Sequence, residues 1–255
     1  MRRTGTPRPR EPRVVMQQEP PTTAGATASS GATARAGAPR EVVTALADRV
    51  LTAPARLGPA GERVRLVCLD GYAGAGKTTL AADLARELQP RLAGDGRGGD
   101  ERAEPGIAVV HMDDLYDGWG GLPGAAQTLR TDLIDPMSRG GSGSYRRYDW
   151  HRGRRAERVE VPRRAVVLLE GCGSAPRVLD DVASLIVFVT APDEVRLARG
   201  LARDGESARE HWLAFMADER TVTRRERTLE RADVVLDEVG RIVRTSPVAP
   251  GVGAE

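Results

Sequence analysis

Gly71-Tyr72-Ala73-Gly74-Ala75-Gly76-Lys77-Thr78, continued by Thr79, is the stretch on which the reading of this chain turns. It satisfies the phosphate-binding pattern G-x-x-x-x-G-K-[ST] at every fixed position. The residues before it, Val64 to Asp70, are mostly apolar and predict a strand of a parallel sheet covered on both faces. Those after it, Thr79 to Leu88, place Leu80, Leu84 and Leu88 on one helical face. Gly71, Gly74 and Gly76 let the backbone approach a ligand closely. With Ala73, Ala75 and Thr79 they line a cradle of inward N–H groups at the positive end of the helix. Lys77 is expected to set its ammonium on the β- and γ-phosphates of a nucleotide, and Thr78 to offer its hydroxyl to Mg²⁺.

Lys77 is the one lysine among 38 basic residues, and every other is arginine. A compact ammonium on a flexible stem is not interchangeable with a planar guanidinium. The lone lysine therefore sits where the chemistry asks for one.

A chain of 255 residues accommodates one α/β domain with tails. Charged residues make up 29% and hydrophobic residues 40%, the balance of a soluble globular protein. A net charge of +2 is too small to argue for nucleic acid or a membrane surface. No apolar run reaches the roughly 20 residues of a membrane span, and no signal peptide is expected, because the first residues lack an apolar stretch. Cys68 and Cys172 fall in or beside expected core strands and have no disulfide or zinc spacing. A cytoplasmic location follows as the expectation.

Residues 1–40 are rich in Arg, Pro, Thr, Ala and Gly and are expected to form a disordered basic tail. Met16 is an alternative start within it. The folded domain is expected over 41–240, with 241–255 as a flexible tail. Within the domain a helix is predicted over 41–51 and a loop over 90–106. A second strand is read at Ile107 to Met112 and helical structure over 123–137. Further strands fall at 165–169, 185–189 and 234–236, and a long helix over about 207–229. Strands alternating with helices imply a doubly wound parallel sheet, here of five strands.

In such a sheet ligands bind beyond the carboxyl ends of the strands. Asp70, Asp113 with Asp114, and Glu170 all lie there. Glu170 follows five apolar residues, where an acid holds the Mg²⁺ shell, or alternatively caps a helix. Asp113 is placed to orient an attacking hydroxyl and accept its proton, whereas Asp114 reads as a turn residue. Arg196, Arg199 and Arg203 recur at i, i+3 and i+7 on one helical face. Such a face suits the charge spread over a phosphoryl group in transfer, or is simply solvated. Arg146 to Arg164 form a second basic cluster interleaved with Tyr145, Tyr148 and Trp150. Arginines with aromatics stack on bases, so nucleic acid is a rival partner, and a small ring-bearing substrate would use the same groups.

These segments together resemble the uridine kinase and phosphoribulokinase family of P-loop kinases, over roughly residues 62–237. Gly71–Thr79 is similar to its phosphate loop. Met112-Asp113-Asp114-Leu115-Tyr116 resembles its base-bearing segment, although Leu115 replaces an aromatic. Tyr148-Asp149-Trp150, with His151 and Arg152, resembles its nucleoside-contacting segment. Leu168-Leu169-Glu170-Gly171 matches its acidic strand end, and Arg196 to Asp204 its arginine lid.

The resemblance implies a P-loop three-layer sandwich with a small helical lid. The implied activity is transfer of the γ-phosphoryl of ATP, with Mg²⁺, to a hydroxyl of a small molecule, uridine or cytidine first. Lys77, Asp113, Arg199 and Arg203 become catalytic candidates. The phosphate-loop residues with Arg196 would hold ATP, and Thr78 with Glu170 the metal. Tyr116, Tyr148, Trp150, His151 and Arg152 would hold the acceptor. Another small acceptor (a vitamin, a sugar or a nucleoside monophosphate) or a non-catalytic nucleotide switch are the alternatives. Nucleic acid is the less favoured partner, no membrane is expected, and an oligomer is compatible with the sequence.

Overall fold

The structure, a computed structural model, describes residues 37–61, 63–94 and 104–246. Most of the expected basic tail, residues 1–36, lies outside the described residues.

The chain opens with α1 (Arg40–Thr52), followed by β1 (Arg65–Gly71) and α2 (Lys77–Gly94). Then comes β2 (Glu104–His111). A helical stretch follows, made of α3 (Ala125–Thr128), a π-helical segment (Leu129–Ile134) and α4 (Asp135–Ser138). Next are β3 (Gly143–Asp149), β4 (Arg154–Val161), β5 (Arg164–Glu170) and β6 (Ala183–Val189). The chain continues through α5 (Asp193–Asp204), α6 (Arg209–Glu226) and α7 (Thr228–Arg231). It closes with β7 (Val234–Leu236) and β8 (Ile242–Thr245).

The main sheet has six strands in the order β2-β5-β1-β6-β7-β8. The strands from β2 to β7 run parallel, as expected, and β8 adds an antiparallel edge on β7. That edge strand corrects the expectation that residues 241–245 belong to a loose tail. Ile242 to Thr245 are exposed and carry little apolar signal, but backbone pairing to Val234–Leu236 needs none.

Register in the centre is dictated by two separate cores. Leu66 and Cys68 of β1, Val167 and Leu169 of β5, and Ile186 and Phe188 of β6 face one core with Leu129, Leu133 and Phe215. Val67 and Leu69, Val166 and Leu168, and Leu185 and Val187 face the other, against Val43, Leu46, Leu80, Leu84 and Leu88 of α1 and α2. Burying one such side chain contributes about 1.5–3 kcal/mol. A one-residue slip would exchange every side chain between the two cores.

Helix α2 runs on through Pro90 to Gly94, past the loop expected from residue 90. Pro90 removes one helical N–H donor, and buried Leu92 extends the Leu80-Leu84-Leu88 stripe beyond it. The largest departure is the antiparallel pair β3 and β4, a separate hairpin outside the main sheet. It carries the basic and aromatic cluster of residues 145–155. Among the described residues no helix is long and apolar enough to cross a membrane.

Candidate active site

The carboxyl ends of β1, β2 and β5 converge on the loop after β1. Gly74 holds φ +76°, and a Cβ there would come 2.7 Å from the Arg196 carbonyl, so only glycine fits. The N–H groups of Gly74, Gly76, Lys77 and Thr78 donate to no protein atom among the described residues. A Cβ built on Gly76 would meet nothing within 4 Å. The concavity is therefore lined by unpaired donors at the start of α2 and is open above Gly76, a fit for an anionic group.

Lys77 completes the cradle. Its side chain is buried, the residue being 6% exposed. Nζ donates to the Tyr72 carbonyl at 2.8 Å and to Cys172 Sγ at 3.5 Å, and it forms no ion pair among the described residues. Burial opposes its charge, but Cys172 and the carboxylates of Glu170, Glu219 and Asp70 outweigh burial and raise its pKa. A buried ammonium without a bonded counter-ion is unusual, because buried charges are normally paired.

Thr78 Oγ1 lies 3.3 Å from both carboxylate oxygens of buried Glu170, at the end of the adjacent strand. Register puts His111 beside Glu170, and His111 Nδ1 is 2.5 Å from Glu170 Oε1. That hydrogen bond raises the pKa of His111. Among the described residues no three His, Cys, Asp or Glu side chains are grouped to hold a metal by themselves. One hydroxyl and one carboxylate suit Mg²⁺, which keeps several waters and takes further oxygens from substrate phosphates. The donor set thus fits a Mg²⁺–nucleotide complex.

Asp113 follows β2 in a single 3₁₀ turn, Met112–Asp114. Its carboxylate is solvent-accessible and has no hydrogen-bond partner among the described residues. The surrounding cleft, then the Glu170 charge, push its pKa up, against Lys77, Arg203 and His111. Because the group is open to water, only the direction carries weight. Asp114 is instead bonded by the Tyr145 hydroxyl at 3.0 Å. Asp70 is fully engaged by the N–H groups of Gly71 (2.7 Å), Gly173 (2.8 Å) and Ala175 (2.9 Å), which tie β1 to the turn after β5.

The three arginines of α5 have three different fates. Arg196, expected to hold ATP, is instead 0% exposed and faces away from the cradle. It pairs with Glu219 and Asp193, donates to the Ala73 carbonyl at 3.2 Å, and lies 4.7 Å from the Tyr72 ring centroid. Glu219 accepts the Ala73 N–H at 2.7 Å, so this pair braces the phosphate loop from behind. Arg199 is exposed and donates to the Gly74 carbonyl at 3.1 Å, on the loop itself. Arg203 is paired with Asp204 at 2.8 Å, stacks 5.7 Å from Trp212, and contributes positive potential at Asp113. Gly200 makes this lid possible, since a Cβ there would lie 2.3 Å from Trp212.

The expected acceptor residues separate as well. Tyr148 and Trp150 pack edge to face at 5.3 Å, and the Trp150 indole N–H donates to the Asp113 carbonyl at 3.0 Å. Tyr116 is not at the surface; it is 1% exposed, packs on Phe215, and its hydroxyl donates to the Cys172 carbonyl at 2.6 Å. His151 and Arg152 sit exposed on the β3–β4 turn, where their N–H groups bond Asp149 Oδ1 at 3.1 and 3.0 Å. Their backbone shapes the turn, and neither side chain is brought to Asp113. Sequence reasoning missed Glu219, His111, Cys172 and Trp119. Of these, His111 carried a signal, its place at the carboxyl end of β2.

No protein-family model and no curated protein matches this chain. Among solved structures it is similar to a possible uridine kinase from Bacillus stearothermophilus, at 18% identity and a TM-score of 0.52. The match covers 77% of this chain and 97% of that one. The chain shares the α/β fold of that possible uridine kinase. A fructose transport system kinase from Silicibacter sp. TM1040 aligns at 22% identity and a TM-score of 0.47, over 71% of this chain and 94% of that one.

Proposed function

We propose that this protein is a phosphotransferase that moves the γ-phosphoryl group of ATP to a hydroxyl of a small, ring-bearing acceptor, a nucleoside such as uridine or cytidine. The observation that carries the reading is Lys77, a buried ammonium that has no ion pair among the described residues, beside four N–H groups that have no partner among them. The fold shared with a P-loop kinase supports it.

The N–H groups of Gly74 to Thr78 and Lys77 would hold the phosphates, and Thr78 with Glu170 the Mg²⁺. When bound, the metal and nucleotide supply the transferable phosphoryl group and neutralise charge on its oxygens. Asp113 has no hydrogen-bond partner for its carboxylate among the described residues; it orients the acceptor hydroxyl and takes its proton at a carboxylate oxygen. Its raised pKa makes the carboxylate a better proton acceptor. Arg199 and Arg203 bring positive charge from the lid to the loop and to the Asp113 side of the cleft. Trp150 and Tyr148 wall the acceptor's end. The Arg196–Glu219 pair does no chemistry and keeps the loop in shape.

The test is acceptor-dependent ADP formation with Mg²⁺–ATP across a panel of nucleosides, sugars and vitamins, with the phosphorylated product identified by mass. Uridine or cytidine should give a monophosphate ester. Nucleotide binding with no product from any acceptor would remove the proposal in favour of a nucleotide-controlled switch.

A further inference from the structure

Aromatic residues make up only 4% of this chain. Yet one connected set of contacts gathers Tyr116, Trp119, Tyr148, Trp150, Trp212 and Phe215 beside Asp113. Phosphoryl transfer itself asks for none of them. Trp119, in the short turn Gly118–Gly120, stands at the centre. Trp150 at 5.6 Å, Trp212 at 6.1 Å and Phe215 at 6.1 Å all meet it in T-shaped contacts.

Its face has a different partner. His211, from the first turn of α6, lies within 12° of parallel, with ring centroids 5.5 Å apart. His211 is exposed and forms no hydrogen bond or ion pair among the described residues. Stacking alone holds the imidazole there, a contact weak enough for a better-matched ring to displace.

The geometry points to Trp119 as the platform on which a planar heterocycle of the acceptor stacks, with His211 as the removable cover of that face. This rests on the phosphotransferase reading and adds the residues that select for the acceptor's ring. Trp150 links the two ends, its ring against Trp119 and its N–H on the Asp113 carbonyl. One indole thus separates the platform from the base. A flat ring, a sugar-sized spacer and a terminal hydroxyl match that arrangement, whereas a bare sugar leaves the platform unused.

The test is equilibrium binding of uridine and cytidine without ATP, by calorimetry and tryptophan fluorescence, with D-fructose as the control that has no aromatic ring. Trp119→Leu should weaken nucleoside binding about 5-fold or more, and Trp119→Phe should retain most of it. His211→Ala should tighten nucleosides about 2- to 10-fold, because the face no longer has to be cleared. D-fructose binding should respond to none of the three. Should Trp119→Leu fail to fold, Trp119→Phe and the surface change His211→Ala carry the test. Nucleosides that do not bind, that ignore Trp119→Leu, or that weaken with His211→Ala overturn the inference. Turnover is not read, so uridine binding on Trp119 without phosphoryl transfer defeats the kinase reading alone. Phosphorylation of D-fructose with no affinity for uridine defeats this inference alone.

Discussion

Replacing Glu219 by alanine tests whether the phosphate loop is held from behind. Glu219 is 1% exposed; one oxygen takes the Arg196 guanidinium, and the other accepts the Ala73 N–H and, at 3.6 Å, the Cys172 thiol. Removing one partner of a buried ion pair costs about 3–5 kcal/mol. An orphaned buried N–H adds about 1–3 kcal/mol. Against this, Arg196 keeps Asp193, the Ala73 carbonyl and the Tyr72 ring. Asp193 is half exposed and also pairs with Arg220, so it offsets only part of the loss. A net destabilisation of about 3–5 kcal/mol is expected, or a fall in melting temperature of roughly 6–20 °C for a domain of this size. Glu219→Gln, which keeps acceptor and shape, should cost less. Urea unfolding measures the stability, and calorimetry with ATP reports the loop, whose nucleotide affinity should fall in parallel. Stability within about 1 kcal/mol of the parent with unchanged ATP affinity would refute the brace.

Lys77→Met should abolish transfer and destabilise the fold by about 1 kcal/mol or more, since the surrounding carboxylates favour the ammonium more than burial opposes it and its bond to the Tyr72 carbonyl is lost; an unchanged or stabilised variant would mean that the buried charge is a net cost. Lys77→Arg should remain severely impaired, because the planar fork does not match the ammonium's place, and near-native turnover would count against that. Glu170→Gln should raise the Mg²⁺ concentration for half-maximal rate with the fold intact, and an unchanged titration would return Glu170 to a structural role. His111 has its pKa raised above the ordinary 6.5 by its bond to Glu170. Its stabilisation is complete below about 6.5 and is lost as pH rises through the elevated value. His111→Asn should flatten that part of the melting profile, by less than about 1 kcal/mol for a half-exposed ring; an identical profile would show that the bond does not form in solution.

The parallel sheet was legible because its strands are buried on both faces and read as continuous apolar runs, Ala165–Leu169 most clearly. The phosphate loop was legible because its glycines and lysine have no substitutes. Period and composition failed where structure rests on backbone pairing alone, as in β8, or on mixed polar strands, as in the β3–β4 hairpin. The lid arginines show a different limit. Helical spacing placed Arg196, Arg199 and Arg203 on one face, but only the position of Glu219, 23 residues onward, decides that Arg196 turns inward. Tyr116 failed for a similar reason, since its hydroxyl finds the Cys172 carbonyl 56 residues away. Trp119 stood in a glycine-rich turn whose sequence says nothing of the ring it would face.

Asp113→Asn is the most direct test of the central claim, that this cleft performs acceptor-directed phosphoryl transfer. The change keeps the shape and removes the proton acceptor from a carboxylate that bonds no protein group among the described residues. Measured with an acceptor that the parent phosphorylates, turnover should fall by about 10²-fold or more, while ATP affinity stays within about threefold. Unchanged turnover would place the base elsewhere and contradict the account. An equal loss of ATP affinity and rate would contradict it too, by making Asp113 part of the nucleotide site.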